Sequence, residues 1–366
     1  MSEQFNNKDY GEYFSAIEKR IDKQSTHTSQ KQEDCTAKKK THVEFKLRPW
    51  VYLALILVVI LIVISVIPKS SKDGTTISNV ESADNVVSDV ERQEEHKVAL
   101  SANYTENTCE IADDIVSQSV IVINCDTNSV VASRNASVKC YPASTTKIMT
   151  ILTAVEHITD YNKTFKFSYE ITDPFFRQEA TMAGFKDQEA VNMTDMLYGA
   201  ILPSGADATA GLAISIAGSE EKFVKLMNEK ADDLGLKNTH FTNASGLYDS
   251  EHYTTAEDMA VIIRAAMQNE LCKKILSTYQ YTTASTPQNP DGIQLTSTLF
   301  SYMYGTEPEG SDILGGKTGY VGEAGYCIAS FGKSDNGTEY VCVTLKGQSL
   351  WPTVYDQINL YTKYAK

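Results

Sequence analysis

The sequence predicts an α+β fold in which one antiparallel sheet is flanked by helices. Strand patterns occur at residues 119–133 and again at 326–345, whereas the region between them is mostly helical in pattern. Strands at both ends with helices between them imply that the two chain ends pair within one sheet, which the helices cover. The chain has 366 residues, of which 42% are hydrophobic, and this is enough for one substantial core.

The first strand pattern predicts a hairpin. Residues 119–124 and 130–133 are rich in valine and isoleucine, and they flank a turn of polar residues at 126–129. The apolar run at residues 148–155 that follows has the length and composition of a buried helix. The hairpin therefore leads directly into a helix.

Helical periodicity extends over residues 194–268 and includes four apolar residues at helical spacing, namely Phe223, Met227, Ala231 and Leu234. Strand patterns return at residues 326–331 and 340–345. A last helix is predicted at residues 354–364. These carboxyl-terminal strands are the expected partners of the first hairpin.

An uncharged segment precedes the predicted domain. Every residue from 50 to 67 except Ser65 is apolar or aromatic, which predicts a membrane-spanning helix over residues 49–67. A cleaved signal peptide is the alternative, but a polar stretch of about 48 residues precedes the run and no small-x-small cleavage pattern follows it. Basic residues concentrate before the segment and predict a cytoplasmic amino terminus. The basic residues just before the segment are Lys38, Lys39, Lys40, Lys46 and Arg48, whereas those just after it are Lys69 and Lys72.

These features predict four parts. Residues 1–48 form a polar cytoplasmic tail, residues 49–67 the membrane helix, residues 68–108 a segment with the composition of a flexible stalk, and residues 109–366 an exported domain. The protein is thus expected to be a single-pass protein of the cell membrane. The net charge of −14 predicts no binding of nucleic acid, because nucleic-acid phosphates require a basic surface.

Three short motifs carry the chemistry. They are Ser144-Thr145-Thr146-Lys147, Ser204-Gly205-Ala206 and Lys317-Thr318-Gly319. A serine hydroxyl needs a neighbouring base before it becomes a good nucleophile. Positions i and i+3 of a helix face the same way, so Lys147 is expected to reach Ser144 and accept its proton. Any one motif alone is weak, whereas the three together predict an active-site serine.

At these motifs the chain resembles the serine D-alanyl-D-alanine carboxypeptidases, which are low-molecular-mass penicillin-binding proteins of peptidase family S11. The resemblance extends over residues 113–365. It is supported by residues 142–150, 202–209, 241–260 and 315–330. It implies a β-lactamase/transpeptidase-like sheet flanked by helices and removal of the terminal D-alanine from peptidoglycan stem peptides. It also implies covalent inhibition by β-lactams.

The resemblance also implies roles for further residues. Ser204 would relay a proton to the leaving amine, while Lys317 and Thr318 would hold the terminal carboxylate of the substrate. Gly319 and Tyr320 continue the strand that pairs with the peptide, and the N–H groups of Ser144 and Tyr320 would form the oxyanion hole. Burial beside Lys317 is expected to lower the pKa of Lys147, which serves as a base only when neutral.

The chain departs from the family pattern at two places. The second motif is usually S-x-N, but Ala206 occupies its third position, so an amide that helps to position substrate and lysine is missing. Asp207 could compensate, although an acid at a helix start is more simply explained by the helix dipole. No arginine follows Arg264, whereas relatives often have one that assists with the carboxylate. The alternative function is therefore a catalytically weak or inactive protein that binds penicillin or wall peptides.

Other enzyme classes fit less well. A class A β-lactamase would need a deacylating glutamate, for which Glu257 is the available candidate. A Ser-His-Asp hydrolase could use His252 as its base, but the G-x-S-x-G motif is absent. No cofactor or metal is expected, because the histidines beyond residue 67 show no metal-binding spacing. The six cysteines beyond that point allow fifteen pairings, and Cys327 and Cys342 could equally form a hairpin bridge or remain buried thiols.

Overall fold

The computed structural model of the protein describes residues 100–366. The predicted tail at residues 1–48, the membrane helix at 49–67 and the first part of the stalk lie outside the described residues. Within residues 100–366, no helix combines the length and the apolar character needed to cross a membrane.

The strands of the described region, in chain order, are β1 (Cys109–Glu110), β2 (Ser119–Asn124), β3 (Ser129–Arg134), β4 (Thr164–Lys166), β5 (Ala190–Asn192), β6 (Gln280–Thr282), β7 (Gln294–Thr296), β8 (Ser311–Val321), β9 (Gly325–Ser334) and β10 (Glu339–Gly347). The helices are α1 (Lys147–His157), α2 (Tyr169–Arg177), α3 (Met193–Ile201), α4 (Ala206–Ala217), α5 (Glu220–Asp233), α6 (Ala256–Gln268), α7 (Glu270–Leu276), α8 (Thr298–Met303) and α9 (Leu350–Tyr364). A 3₁₀ turn (Ala143–Thr146) precedes α1.

The central sheet has the strand order β1-β3-β2-β10-β9-β8. All neighbours are antiparallel except β1 and β3. The pairing of β2 with β10 joins the two ends of the domain, with Val122 opposite Cys342. The predicted α+β fold, an antiparallel sheet flanked by helices, is confirmed. The two-stranded sheets β4–β5 and β6–β7 were not predicted, because strands of three residues carry too little pattern.

Alternate residues of β2 face opposite sides of the sheet, as the pleat requires. Ile121 and Ile123 belong to the larger core, which includes α6 and most of the other helices between the two strand groups. Val120 and Val122 face a smaller core that contains Leu360 of α9. Helices therefore cover both faces, and the 3₁₀ turn packs against β8 and β9 at the boundary between sheet and helices. This boundary is where the motifs meet.

The last part of the predicted stalk, residues 100–108, contacts the domain. The Asn103 N–H donates to the Asn128 carbonyl at 2.9 Å, and the Asn103 carbonyl accepts from the Val130 N–H at 2.9 Å. Leu100 and Ala102 pack against the larger core. These residues extend the β2–β3 hairpin, so the folded domain begins before residue 109.

The cysteines of the described region are all free thiols. Cys342 faces Ser330 across the β9–β10 ladder, whereas Cys327 faces Gly319 on β8. The two cysteines are therefore not opposite each other and form no bridge, although the strands that carry them do pair. Both side chains are buried, which agrees with the alternative that they are small apolar core residues.

Candidate active site

The serine motif lies at a close contact between three backbone segments. Ser144 is in the 3₁₀ turn rather than at the start of an α-helix, and the preceding Ala143 has a φ of +48°. A Cβ at Gly319 would lie 2.8 Å from the Ser144 nitrogen, and a Cβ at Gly246 would lie 1.9 Å from the Ala143 carbonyl oxygen. Only glycine permits these approaches, so the two glycines bring β8 and the loop at Gly246 against the serine turn.

Lys147 begins α1, and its side chain is buried behind the serine. Its Nζ lies 2.9 Å from Ser144 Oγ and 2.5 Å from the Ser245 carbonyl oxygen. Burial lowers the pKa of Lys147 to about 7, while the Asp207 carboxylate acts in the opposite direction. A large fraction of this amine is therefore neutral near pH 7, and it lies within hydrogen-bond distance of the hydroxyl it would deprotonate.

Lys317 is also buried, and its Nζ donates to the Thr318 carbonyl at 2.8 Å. Burial, followed by the charge of Lys147, places the pKa of Lys317 well below its ordinary value. The expectation was that Lys317 lowers the pKa of Lys147. Instead, burial is the main cause of the low pKa of Lys147, and at Lys317 it is burial and then the charge of Lys147 that lower the pKa. An incoming carboxylate would favour the charged form of Lys317 again, because opposite charges stabilise each other in a buried site.

The predicted substrate strand is the end of β8. The Thr318 and Thr298 hydroxyls lie 2.7 Å apart, so α8 supplies a second hydroxyl that the sequence did not predict. Tyr320 is 56% exposed and stacks on Tyr326 with ring centroids 4.3 Å apart. Thr318, Gly319 and Tyr320 all line the same cavity as Ser144.

Ser204 lies in this cavity in a strained conformation. Its φ is +69°, which is unusual for a residue other than glycine, and its side chain is buried. Ser204 does not cap α4, because Gly205 holds the cap position and no side chain caps this helix. A strained, buried serine in the same cavity as Ser144 is typical of a functional position.

Ala206 begins α4 and packs in a small apolar cluster with Phe175 and Ala210. The next residue, Asp207, is fully buried, and its carboxylate accepts N–H groups from Ala183 at 2.7 Å, Gly184 at 3.0 Å, Phe185 at 3.3 Å and Ala208 at 2.9 Å. Burial raises the pKa of Asp207 in spite of these donors. The helix-dipole interpretation is therefore incomplete, because most of the bonds anchor a loop that follows α2.

The loop at residues 243–247 lies within a segment that supported the family resemblance, but sequence reasoning assigned it no role at the site. The Asn243 Oδ1 accepts from the Ser245 N–H at 3.2 Å and from the Gly246 N–H at 2.7 Å. This arrangement aims the Ser245 carbonyl at Lys147. The Asn-Ala-Ser-Gly sequence is typical of a turn in which an asparagine side chain binds the following backbone, and that pattern could have revealed the loop but not its target.

The alternative nucleophile systems have no support in the geometry. His252 Nδ1 accepts from the Thr242 N–H at 3.1 Å and Nε2 lies 2.8 Å from Thr146 Oγ1, and burial lowers the pKa of His252 to about 4. His252 therefore links the serine turn to its loop as a neutral ring. Glu257 accepts a hydrogen bond from Tyr104 and does not line the cavity.

The three motifs thus meet in one cavity of about 550 Å³ that contains Ser144, Lys147, Ser204 and Thr318. Together the fold and this cavity define a serine enzyme of the acyl-transfer class in which a lysine, rather than a histidine, neighbours the nucleophile. Residues 105–349 match the D-alanyl-D-alanine carboxypeptidase family, peptidase S11. The chain belongs to this family.

Relatives agree with this assignment. The chain is 34% identical over 235 residues to the D-alanyl-D-alanine carboxypeptidase DacF of Bacillus subtilis, a match that covers 63% of this chain and 57% of that protein. It is 34% identical over 178 residues to DacC of Escherichia coli, which covers 47% of this chain and 44% of that protein. The chain therefore spans about half the length of these relatives.

Solved structures share the fold. The DD-transpeptidase of Streptomyces K15 is similar with a TM-score of 0.61 and 26% identity, over 68% of this chain and 97% of that one. A D-alanyl-D-alanine carboxypeptidase of Mycobacterium tuberculosis is similar with a TM-score of 0.60 and 27% identity, over 70% of this chain and 94% of that one. The predicted transpeptidase-like architecture is confirmed by these similarities.

Proposed function

We propose that this protein is a membrane-anchored serine D-alanyl-D-alanine carboxypeptidase that removes the terminal D-alanine from peptidoglycan pentapeptides. The observation that carries the proposal is the 2.9 Å distance between Ser144 Oγ and the buried Lys147 Nζ, whose pKa is about 7. The names of its relatives supply the substrate class.

In the proposed reaction, Lys147 accepts the Ser144 proton while Oγ attacks the carbonyl of the penultimate D-alanine. The N–H groups of Ser144 and Tyr320 bind the oxyanion, and Ser204 passes a proton to the leaving amine. The terminal carboxylate binds near Thr318 and Lys317. Water then hydrolyses the acyl-enzyme, whereas β-lactams acylate Ser144 and remain attached.

The test uses the full-length protein in detergent with two peptides that differ only in the configuration of the last alanine. We expect release of one D-alanine from the peptide that ends in D-Ala-D-Ala and no release from the peptide that ends in D-Ala-L-Ala, as measured by mass spectrometry. Equal cleavage of both peptides, or cleavage of neither, would contradict the proposed activity.

The alanine at position 206 provides a prediction about rate. Ala206 lines the cavity, so Ala206→Asn adds an amide that can contact both substrate and Lys147. We expect D-alanine release to rise about tenfold, because preorganised polar contacts act most strongly in the transition state. The free energy of unfolding should fall by about 1–3 kcal/mol, because the larger side chain enters an apolar cluster.

Ala210 gives a matched control for this variant. It belongs to the same cluster, one turn further along α4, but does not line the cavity. Ala210→Asn should therefore lose stability without gaining rate. An Ala206→Asn variant that is slower than the natural protein would show that the site is organised around alanine.

Anchoring rests on the uncharged segment at residues 50–67 and on the basic residues before it. We expect added protease to remove the domain from intact cells while the tail at residues 1–48 stays protected inside. Amino-terminal sequencing of the mature protein provides the check. A mature chain that starts shortly after Ile67 would identify the segment as a signal peptide and refute the anchor.

A further inference from the structure

The loop that follows α2 forms one wall of the active-site cavity. Its residues 178–181 line the cavity together with residues 318–322 of the β8 region. Glu179 is the one acidic residue among the described residues of this lining. The other charged side chain of this lining, Lys147, is buried, and so is Lys317, which precedes the lining residues of β8.

The backbone holds Glu179 in a costly conformation. Its φ is +54°, a left-handed value that follows the end of α2 and is usual for glycine or asparagine there. The Glu179 N–H donates to the Phe176 carbonyl at 3.1 Å, and the Ala180 N–H donates to the Phe175 carbonyl at 3.0 Å. Strain of this kind persists where the surroundings enforce it, and it is concentrated at ligand sites.

The loop is fixed on both sides of the cavity wall. The Thr181 carbonyl accepts the Ala206 N–H at 2.8 Å, and the Asp207 carboxylate binds the N–H groups of residues 183–185. The loop is therefore attached to the second motif. It holds Glu179 at the rim of the cavity, beside the motif that contains Ser204.

The Glu179 carboxylate is exposed and has no hydrogen bond or ion pair with any residue of the described range. The nearest cation in sequence, Arg177, pairs with Asp173 at 2.6 Å instead. An exposed acid can be satisfied by water, but an acid in the wall of a cleft is also available to a cation on a bound substrate.

The position of Glu179 indicates which part of the substrate it meets. In the proposed reaction the terminal carboxylate binds near Thr318, whose hydroxyl contacts Thr298. The loop instead adjoins Ala206, and with the carboxylate at Thr318 this wall is left for the peptide that precedes the scissile bond. The residue just before the two D-alanines is then the first whose side chain can extend to Glu179.

We propose that Glu179 determines substrate specificity by binding an amine side chain on the residue that precedes D-Ala-D-Ala. This inference rests on the proposed carboxypeptidase function and adds a preferred substrate class to it. The ammonium group donates to the carboxylate at the cavity rim, where water weakens the interaction only in part. A charge-assisted hydrogen bond of this kind corresponds to a preference of about tenfold in kcat/KM.

The test compares two peptides with the full-length protein. Both end in Lys-D-Ala-D-Ala, and one carries an acetyl group on the lysine side chain. We expect the free amine to give the higher kcat/KM by about tenfold, and Glu179→Gln to remove this preference by slowing only the free-amine peptide. The matched control is Glu170→Gln, which is exposed on α2, the helix that precedes the Glu179 loop, and lies outside the cavity lining. It should retain the preference.

A preference that persists in Glu179→Gln, or an equal loss with both peptides, would overturn the assignment. Competition of each peptide with a fluorescent penicillin separates this result from failure of the proposed function. If neither peptide releases D-alanine but the free amine competes better and only Glu179→Gln removes that advantage, the carboxypeptidase proposal fails and Glu179 remains the specificity residue. If both peptides are cleaved equally well by the natural protein, the function stands and the role of Glu179 is refuted.

Discussion

Ser144→Ala is expected to abolish covalent labelling by a fluorescent penicillin and to reduce D-alanine release by about 10⁴-fold or more. The reason is that Ser144 supplies the only hydroxyl placed 2.9 Å from Lys147 Nζ among the described hydrogen bonds. Gel fluorescence of the full-length protein measures the label, and thermal unfolding shows that the variant is folded.

Ser245→Ala is the matched control for this experiment. Ser245 lines the same cavity, but it contacts Lys147 through its carbonyl oxygen, which the substitution leaves in place. Its hydroxyl bonds to Asn243 at 3.1 Å. The control should therefore still be labelled. Persistent labelling of folded Ser144→Ala would show that another residue is the nucleophile.

Substitution of Lys147 is expected to have the second largest effect. Lys147→Ala and Lys147→Arg should each slow acylation by penicillin by about 10²–10⁴-fold, because a general base contributes that much. The arginine variant distinguishes two roles of the lysine. It keeps a positive charge but stays protonated, so it cannot accept the Ser144 proton. Retained activity in Lys147→Arg would show that charge, rather than proton transfer, is what the site requires.

The pH dependence checks the same role in the natural protein. Only the neutral amine is a base, and the pKa of Lys147 is about 7. Acylation should therefore rise about tenfold per pH unit below pH 7 and level off above it. A rate that is flat from pH 5 to 9, or that falls as pH rises through 7, would contradict Lys147 as the base.

Much of the fold follows from local patterns. The hairpin β2–β3 and the strands β9 and β10 have the alternation and composition that pleated strands favour, and the positions of these strands along the chain imply how they pair. The last helix extends from Leu350, four residues before its predicted start. Its first turn contains Pro352, which is tolerated near a helix start but weakens the sequence pattern.

The serine and lysine motifs could be predicted because chemistry fixes the spacing of these residues along one turn. The Ser245 carbonyl could not, because every residue has a carbonyl and only the tertiary fold aims this one at Lys147. Glu179 was missed for a related reason. Nothing in its neighbourhood in sequence shows that α2 ends there, or that Asp207 fixes the following loop against the cavity.

The most direct test of the serine–lysine site is to trap the acyl-enzyme formed from a peptide that ends in D-Ala-D-Ala. Full-length protein is mixed with the peptide, quenched in acid within the first turnovers and digested with trypsin. We expect mass spectrometry to find the peptidyl group, without its last D-alanine, on Ser144 in the fragment of residues 140–147. An adduct on another residue, or D-alanine release with no adduct at any time, would contradict the account.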